Sequence, residues 1–188
     1  MQYPQIKVYV NYRTPLVGLK TTGASSMSSK NTIRSNPSSP LNLVHSGAST
    51  ATLDLQHGSN LIADISGSSR VALSGRVQGN GRVNVSGAAK LAAMACQMQT
   101  VEAQAGGTGQ AYVNGVEGVH ARVGGVGTIY YQGTLLSQHR SGAGSIKAYF
   151  PGQSPAEPQY WSSGSSKVTD RNRGLLAIFT ALGFFFFF

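Results

Sequence analysis

Residues 66–75 read SGSSRVALSG, a phrase with two Gly, four Ser and no acid, in which only Val71 and Leu73 are large enough to bury. Near-copies of it recur along the chain. Gly23, Gly47, Gly67, Gly87, Gly107, Gly125 and Gly142 sit in the same local setting, spaced by 24, 20, 20, 20, 18 and 17 residues. A phrase repeated at a near-fixed period of about twenty is the mark of a repeat architecture. Four residues after each Gly stand Met27, Ala51, Val71, Leu91, Ala111, Ile129 and Ile146, all apolar. One position earlier stand Ser26, Thr50, Arg70, Lys90, Gln110, Thr128 and Ser145, all polar, and two positions beyond the apolar column come Leu53, Leu73, Ala93, Val113 and Tyr131. Period-two alternation of this kind describes a strand with one face in and one face out.

The segments ahead of each Gly alternate as well: Leu61, Ala63 and Ile65; Val101, Ala103 and Ala105; Val119, Ala121 and Val123. Each unit is therefore strand, Gly corner, strand and a looser return. Twenty residues cannot bury an apolar face alone but can do so against the next unit, with like strands in parallel at about 4.8 Å. The expected fold is all-β: a right-handed parallel β-helix, or β-solenoid, of about seven coils. Antiparallel hairpins would pair unlike strands and would not hold identical columns at constant offset. Stacking predicts that Glu102 lies between Arg82 and His120, that Asp64, Asn84, Gln104 and Arg122 form one polar ladder, and that Arg70 and Lys90 stand side by side.

Composition agrees with this. The 188 residues are 40% hydrophobic and only 11% charged, with 24 Gly, which suits neither a helical protein nor a disordered one. Fifteen Lys and Arg against six Asp and Glu give a net charge of +9. That charge favours acidic partners, but it is scattered and carries no nucleic-acid-binding motif, so no nucleic-acid partner is expected. Cys96 is alone, which rules out a disulfide within the chain, and it reads as a small buried hydrophobe. Spacing gives His45, His57, His120 and His139 no metal role, and each is expected at the surface or in a turn.

The phrases HSGASTATLDL, ISGSSRVALSGRV and VSGAAKLAAMAC, and the closing GGVGTIYYQGTLLSQHRSGAGSIKA, resemble the auto-transporter adhesin head domain, or head GIN domain, of bacterial secreted and cell-envelope proteins. The resemblance extends from about Ile6 to Phe150. It implies a right-handed β-helix, a secreted, periplasmic or cell-surface location, and an adhesive or structural role, and it supplies no catalytic residues. GGTG and GGVG replace the Ser-Gly pair in two coils. The start, MQYPQIKVYVNY, has no charged opening followed by an apolar run, so no signal peptide is visible; either the protein stays inside, or Met1 is not the true start and an N-terminal truncation accounts for the missing export signal.

The repeat domain is expected over residues 1–150, followed by a Pro/Ser/Gly-rich linker at 151–174 and an apolar tail at 175–188. The tail, LLAIFTALGFFFFF, is fourteen residues without a charge, short of the roughly twenty that span a membrane. A cut-off anchor, a reading-frame accident and docking on the open end of the solenoid all remain open readings, and membrane association is expected only of the first.

Two function classes follow. A non-enzymatic adhesin-like or structural β-helix, binding glycans or other surface partners and self-associating through its ends, needs only a rigid polar face. A polysaccharide-active β-helix enzyme needs clustered carboxylates. The acids Asp54, Asp64, Glu102, Glu117, Glu157 and Asp170 do not fall on adjacent coils of one face, so no catalytic, cofactor-binding or metal residue is assigned. The candidate binding strip is Arg70 and Lys90 with Tyr112 and Tyr130, facing outward toward an acidic glycan.

Overall fold

The computed structural model describes residues 6–12, 15–150, 174–180 and 184–187. The strands are β1 (Ile6–Tyr12), β2 (Gly18–Thr21), β3 (Ser26–Ser29), β4 (Ile33–Arg34), β5 (Leu41–His45), β6 (Thr50–His57), β7 (Leu61–Ile65) and β8 (Arg70–Val77). There follow β9 (Gly81–Val85), β10 (Lys90–Ala105), β11 (Gln110–Gly125), β12 (Thr128–Gln132), β13 (Leu135–Gly142), β14 (Ser145–Ala148), β15 (Gly174–Thr180) and β16 (Phe184–Phe187). No helix occurs among the described residues, and so none long and apolar enough to cross a membrane.

Every pairing between coils is parallel and, away from the register shifts of β10, β11 and β13, joins equivalent positions: Val71 lies beside Ala51 and Leu91, Ala111 beside Leu91 and Ile129, Ile146 beside Ile129. The result is a β-solenoid of about seven coils with the period read from the sequence. Its interior is one continuous cluster from Leu16 to Ile129, in which the inward columns are almost wholly removed from solvent. In one inward column the side chains shrink along the stack, from Leu19 and Leu43 to Ala103 and Ala121.

The corners explain the glycines. Gly23, Gly47, Gly67, Gly87, Gly107, Gly125 and Gly142 all have positive φ, between 62° and 100°. They also stack directly: a Cβ on Gly67 would lie 2.5 Å from the carbonyl oxygen of Gly47. Backbone bonds carry the ladder round the turn, with the Ser68 amide donating to the Gly47 carbonyl at 2.8 Å and that of Ala88 to Gly67 at 2.9 Å. Left-handed backbone and close approach together leave room for no side chain.

The tail is read only in part, since most of the 151–174 linker lies outside the described residues. β15 runs antiparallel between β1 and β3, and β16 runs antiparallel beside β2. The tail strands thus lie against the first coil.

Two histidines correct the sequence reading. His45 and His57, expected at the surface or in turns, are 0% and 1% exposed. Their column positions decide this: His45 is in register with Thr21 and Ile65, and His57 with Val77, all inward. Thr21 Oγ1 is hydrogen-bonded to His45 Nδ1, and Ser35 Oγ to His57 Nδ1. His57 Nε2 also meets the Asn60 carbonyl at 2.9 Å, whereas His45 Nε2 is buried without a hydrogen-bond partner among the described residues.

Burial pushes His45 down from 6.5 to about 4, and His57 in the same direction, the latter opposed by the Asn60 carbonyl. The unfolded chain takes up the His45 proton at the ordinary value. Its contribution to stability is therefore complete above pH 6.5 and is lost as pH falls toward 4. At pH 5 the loss is about 2 kcal/mol, or several degrees of melting temperature. We expect a thermal melt at pH 5 to show that drop relative to pH 7.5, and a His45→Leu protein to lose most of the difference. An unchanged pH slope in the variant would contradict the assignment.

Candidate functional site

Alternation places Arg70 and Lys90 outward at the start of β8 and β10, and strand pairing puts them in register on adjacent coils. Arg70 is exposed and Lys90 half-buried. Their column continues to Thr50 on one side and Gln110 on the other, so no carboxylate is in register with either cation. The one ion pair among the described residues is Arg82 with Glu102 at 3.9 Å, on another face, where Glu102 also lies in register with His120. Two like charges at about 4.8 Å repel in water and are relieved by an anion placed between them.

Tyr112 and Tyr130 fall on the next outward column, one and two coils further on. They are in register with each other and stacked, with ring centroids 4.6 Å apart and planes 18° apart. Tyr149 packs edge-on against Tyr112 at 6.1 Å, and Met94 completes this second apolar cluster outside the solenoid. The rings are 3% and 8% exposed, so their faces are spent on one another and on Met94. Met94 reaches them because β10 carries a register shift between Ala93 and Gln97, held by the Asn114 amide donating to the Met94 carbonyl at 3.1 Å. The structure thus brings Arg70 to Lys90 and Tyr112 to Tyr130 as two pairs on successive coils, the cations more open to solvent than the rings.

Cys96 is 0% exposed, and burial, with Asp54 adding to it, pushes the thiol up to about 12. A thiol so rarely ionised is a poor nucleophile. The described acids stand beside neutral or basic partners: Asp54 accepts from Thr32 Oγ1 at 2.6 Å and from Ser74 Oγ at 3.3 Å, and Asp64 is in register with Val44 and Asn84. No cluster of three or more His, Cys, Asp or Glu suited to a metal forms among the described residues.

The sequence reading missed a further outward column. It runs through Gln56, Arg76 and Gln97, which strand pairing sets side by side. Gln56 and Arg76 lie nine residues after their corner Gly, Gln97 ten and Asn114 only seven, so alignment at constant offset scatters them.

Residues 1–134 match a family model described as "Putative auto-transporter adhesin, head GIN domain". No curated protein and no solved structure matches the chain.

Proposed function

Since the chain belongs to the auto-transporter adhesin head GIN domain family, we propose that it is a non-enzymatic, adhesin-like β-solenoid displayed at the bacterial cell surface or secreted. Its work is contact. A stack of parallel strands with a dry interior holds outward side chains at fixed spacing and needs no loop rearrangement to meet a repetitive surface.

The observation that carries the binding reading is the Arg70–Lys90 pair, two outward cations in register with no carboxylate in register with either. We assign to it the acidic groups of a surface glycan, a carboxylate or sulfate bridging the two cations, with the Tyr112–Tyr130 stack stiffening the neighbouring coils. The edge of the last coil, where β13 and β14 are paired on one side among the described residues, suits a second copy of the chain.

Retention on immobilised heparin and alginate tests the cation pair. An Arg70→Ser/Lys90→Ser protein is expected to elute at clearly lower salt than the parent, and lower than an Arg122→Ser/Arg140→Ser protein that loses the same charge elsewhere. Equal elution of the two variants would reduce the effect to net charge and remove the site.

A further inference from the structure

The column through Gln56 is longer than three coils. Register sets Arg34 beside Gln56, Gln56 beside Arg76, Arg76 beside Gln97, Gln97 beside Asn114 and Asn114 beside Gln132. Six successive coils therefore carry a planar amide or guanidinium group at the same place, about 4.8 Å apart. All are exposed except Asn114, which is half-buried and donates to the Met94 carbonyl. Among the described residues, the side chains of Gln56, Arg76, Gln97 and Gln132 form no hydrogen bond or ion pair. Other outward groups do bond within the chain: Thr32 and Ser74 to Asp54, Arg82 to Glu102, His120 to Ser137. Over the middle of the column a groove of about 570 Å³ opens, lined by Arg76 and Gln97, by Gln78 and Gln99 two residues further along, and by Val116 and Glu117.

We propose that this groove and its ladder bind an extended, uncharged polysaccharide lying along the solenoid axis. A glutamine amide both donates and accepts, as a sugar hydroxyl does, and the planar Arg76 fork matches a pair of neighbouring hydroxyls. Repeated rungs at constant spacing suit a polymer with repeated polar units. Glu117 offsets Arg76 within the groove, so the site does not select an acidic chain. A peptide would need an unpaired strand edge or apolar pockets for its side chains. On the groove floor Arg76 and Gln97 are each paired to a strand on both sides, and the walls are mostly polar. Val116, 60% exposed, supplies one apolar surface for the face of a sugar ring. The inference extends the surface-binding reading and does not depend on the Arg70–Lys90 pair.

Native gels cast with a mixed-linkage β-glucan, a galactomannan or dextran test it, with alginate gels run alongside. The parent protein is expected to be retarded by at least one neutral polymer. An Arg76→Ala/Gln97→Ala protein, with an unchanged melting temperature because both side chains are exposed, is expected to bind that polymer at least tenfold more weakly, while Arg70→Ser/Lys90→Ser binds as the parent does. Retardation by alginate alone would overturn the inference while leaving the cation pair standing, and so would neutral-polymer binding that survives the Arg76/Gln97 change. No retardation by any neutral polymer would overturn it as well.

Discussion

A Val71→Asp protein is expected to lose its cooperative thermal transition, or to melt at least about 10 °C below the parent. Val71 is 0% exposed and lies in register between Ala51 and Leu91, so the new carboxylate would meet apolar side chains on the coil above and the coil below. Losing the buried valine removes about 1.5–3 kcal/mol. An unpaired buried charge adds about 3–5 kcal/mol. Against a total stability of about 5–15 kcal/mol for a domain, a loss of this size unfolds a marginal domain and takes a large share of the stability of a robust one. The neighbouring substitution, Arg70→Asp, brings the same charge one residue earlier, on the outward face, and is expected to shift the melt by no more than about 2 °C. Equal effects at positions 70 and 71 would mean that the alternation, and with it the coil stacking, is wrong.

The second large effect is expected at the corner. A Gly67→Val change forces a β-branched residue to the left-handed backbone at φ 72°, with its Cβ 2.5 Å from the Gly47 carbonyl oxygen. The backbone strain alone costs about 1–2 kcal/mol. The clash is worse, because its relief requires two coils to separate where the Ser68 amide reaches the Gly47 carbonyl. We expect a melting temperature lowered by about 10 °C or more. Gly106→Ala is the control. That glycine has no positive φ, and a Cβ there meets nothing within 4 Å, so Ala should be neutral or slightly stabilising.

These two positions also show how much was legible in the sequence. Val71 and Gly67 belong to columns of constant offset, and constant offset is the one signal a stacked repeat writes plainly. The Arg82–Glu102–His120 row and the Arg70–Lys90 neighbours followed from the same alignment. His45 and His57 were misjudged because residue type was weighed above column: a histidine in register with Ile65 or Val77 goes inward, and a hydroxyl from the coil before it, Thr21 or Ser35, receives its ring. The amide ladder escaped for the opposite reason. Its members share a place in space but not a distance from the corner, because the register of β10 shifts around Met94 and the later coils are shorter. The Tyr rings were placed on the right column, but that bulge, which brings Met94 over them, has no periodic mark. The pairing of β15 with β1 and β3 joins segments more than 140 residues apart and of opposite direction, which no repeat announces.

The last coil is built differently from the rest. β13 is paired to β11 over Val119–Gly125, yet its residues run from half-buried Leu135 to exposed Gly142, with Leu136 50% exposed and no fully buried side chain among them. Backbone bonds hold that turn to its neighbour, with little hydrophobic grip beneath. In a linear stack each layer leans only on the next, so erosion should begin there and work inward. A protease acting on the native protein would nibble the Gln138–Arg140 stretch long before it reached the leucine-filled coils at the other end.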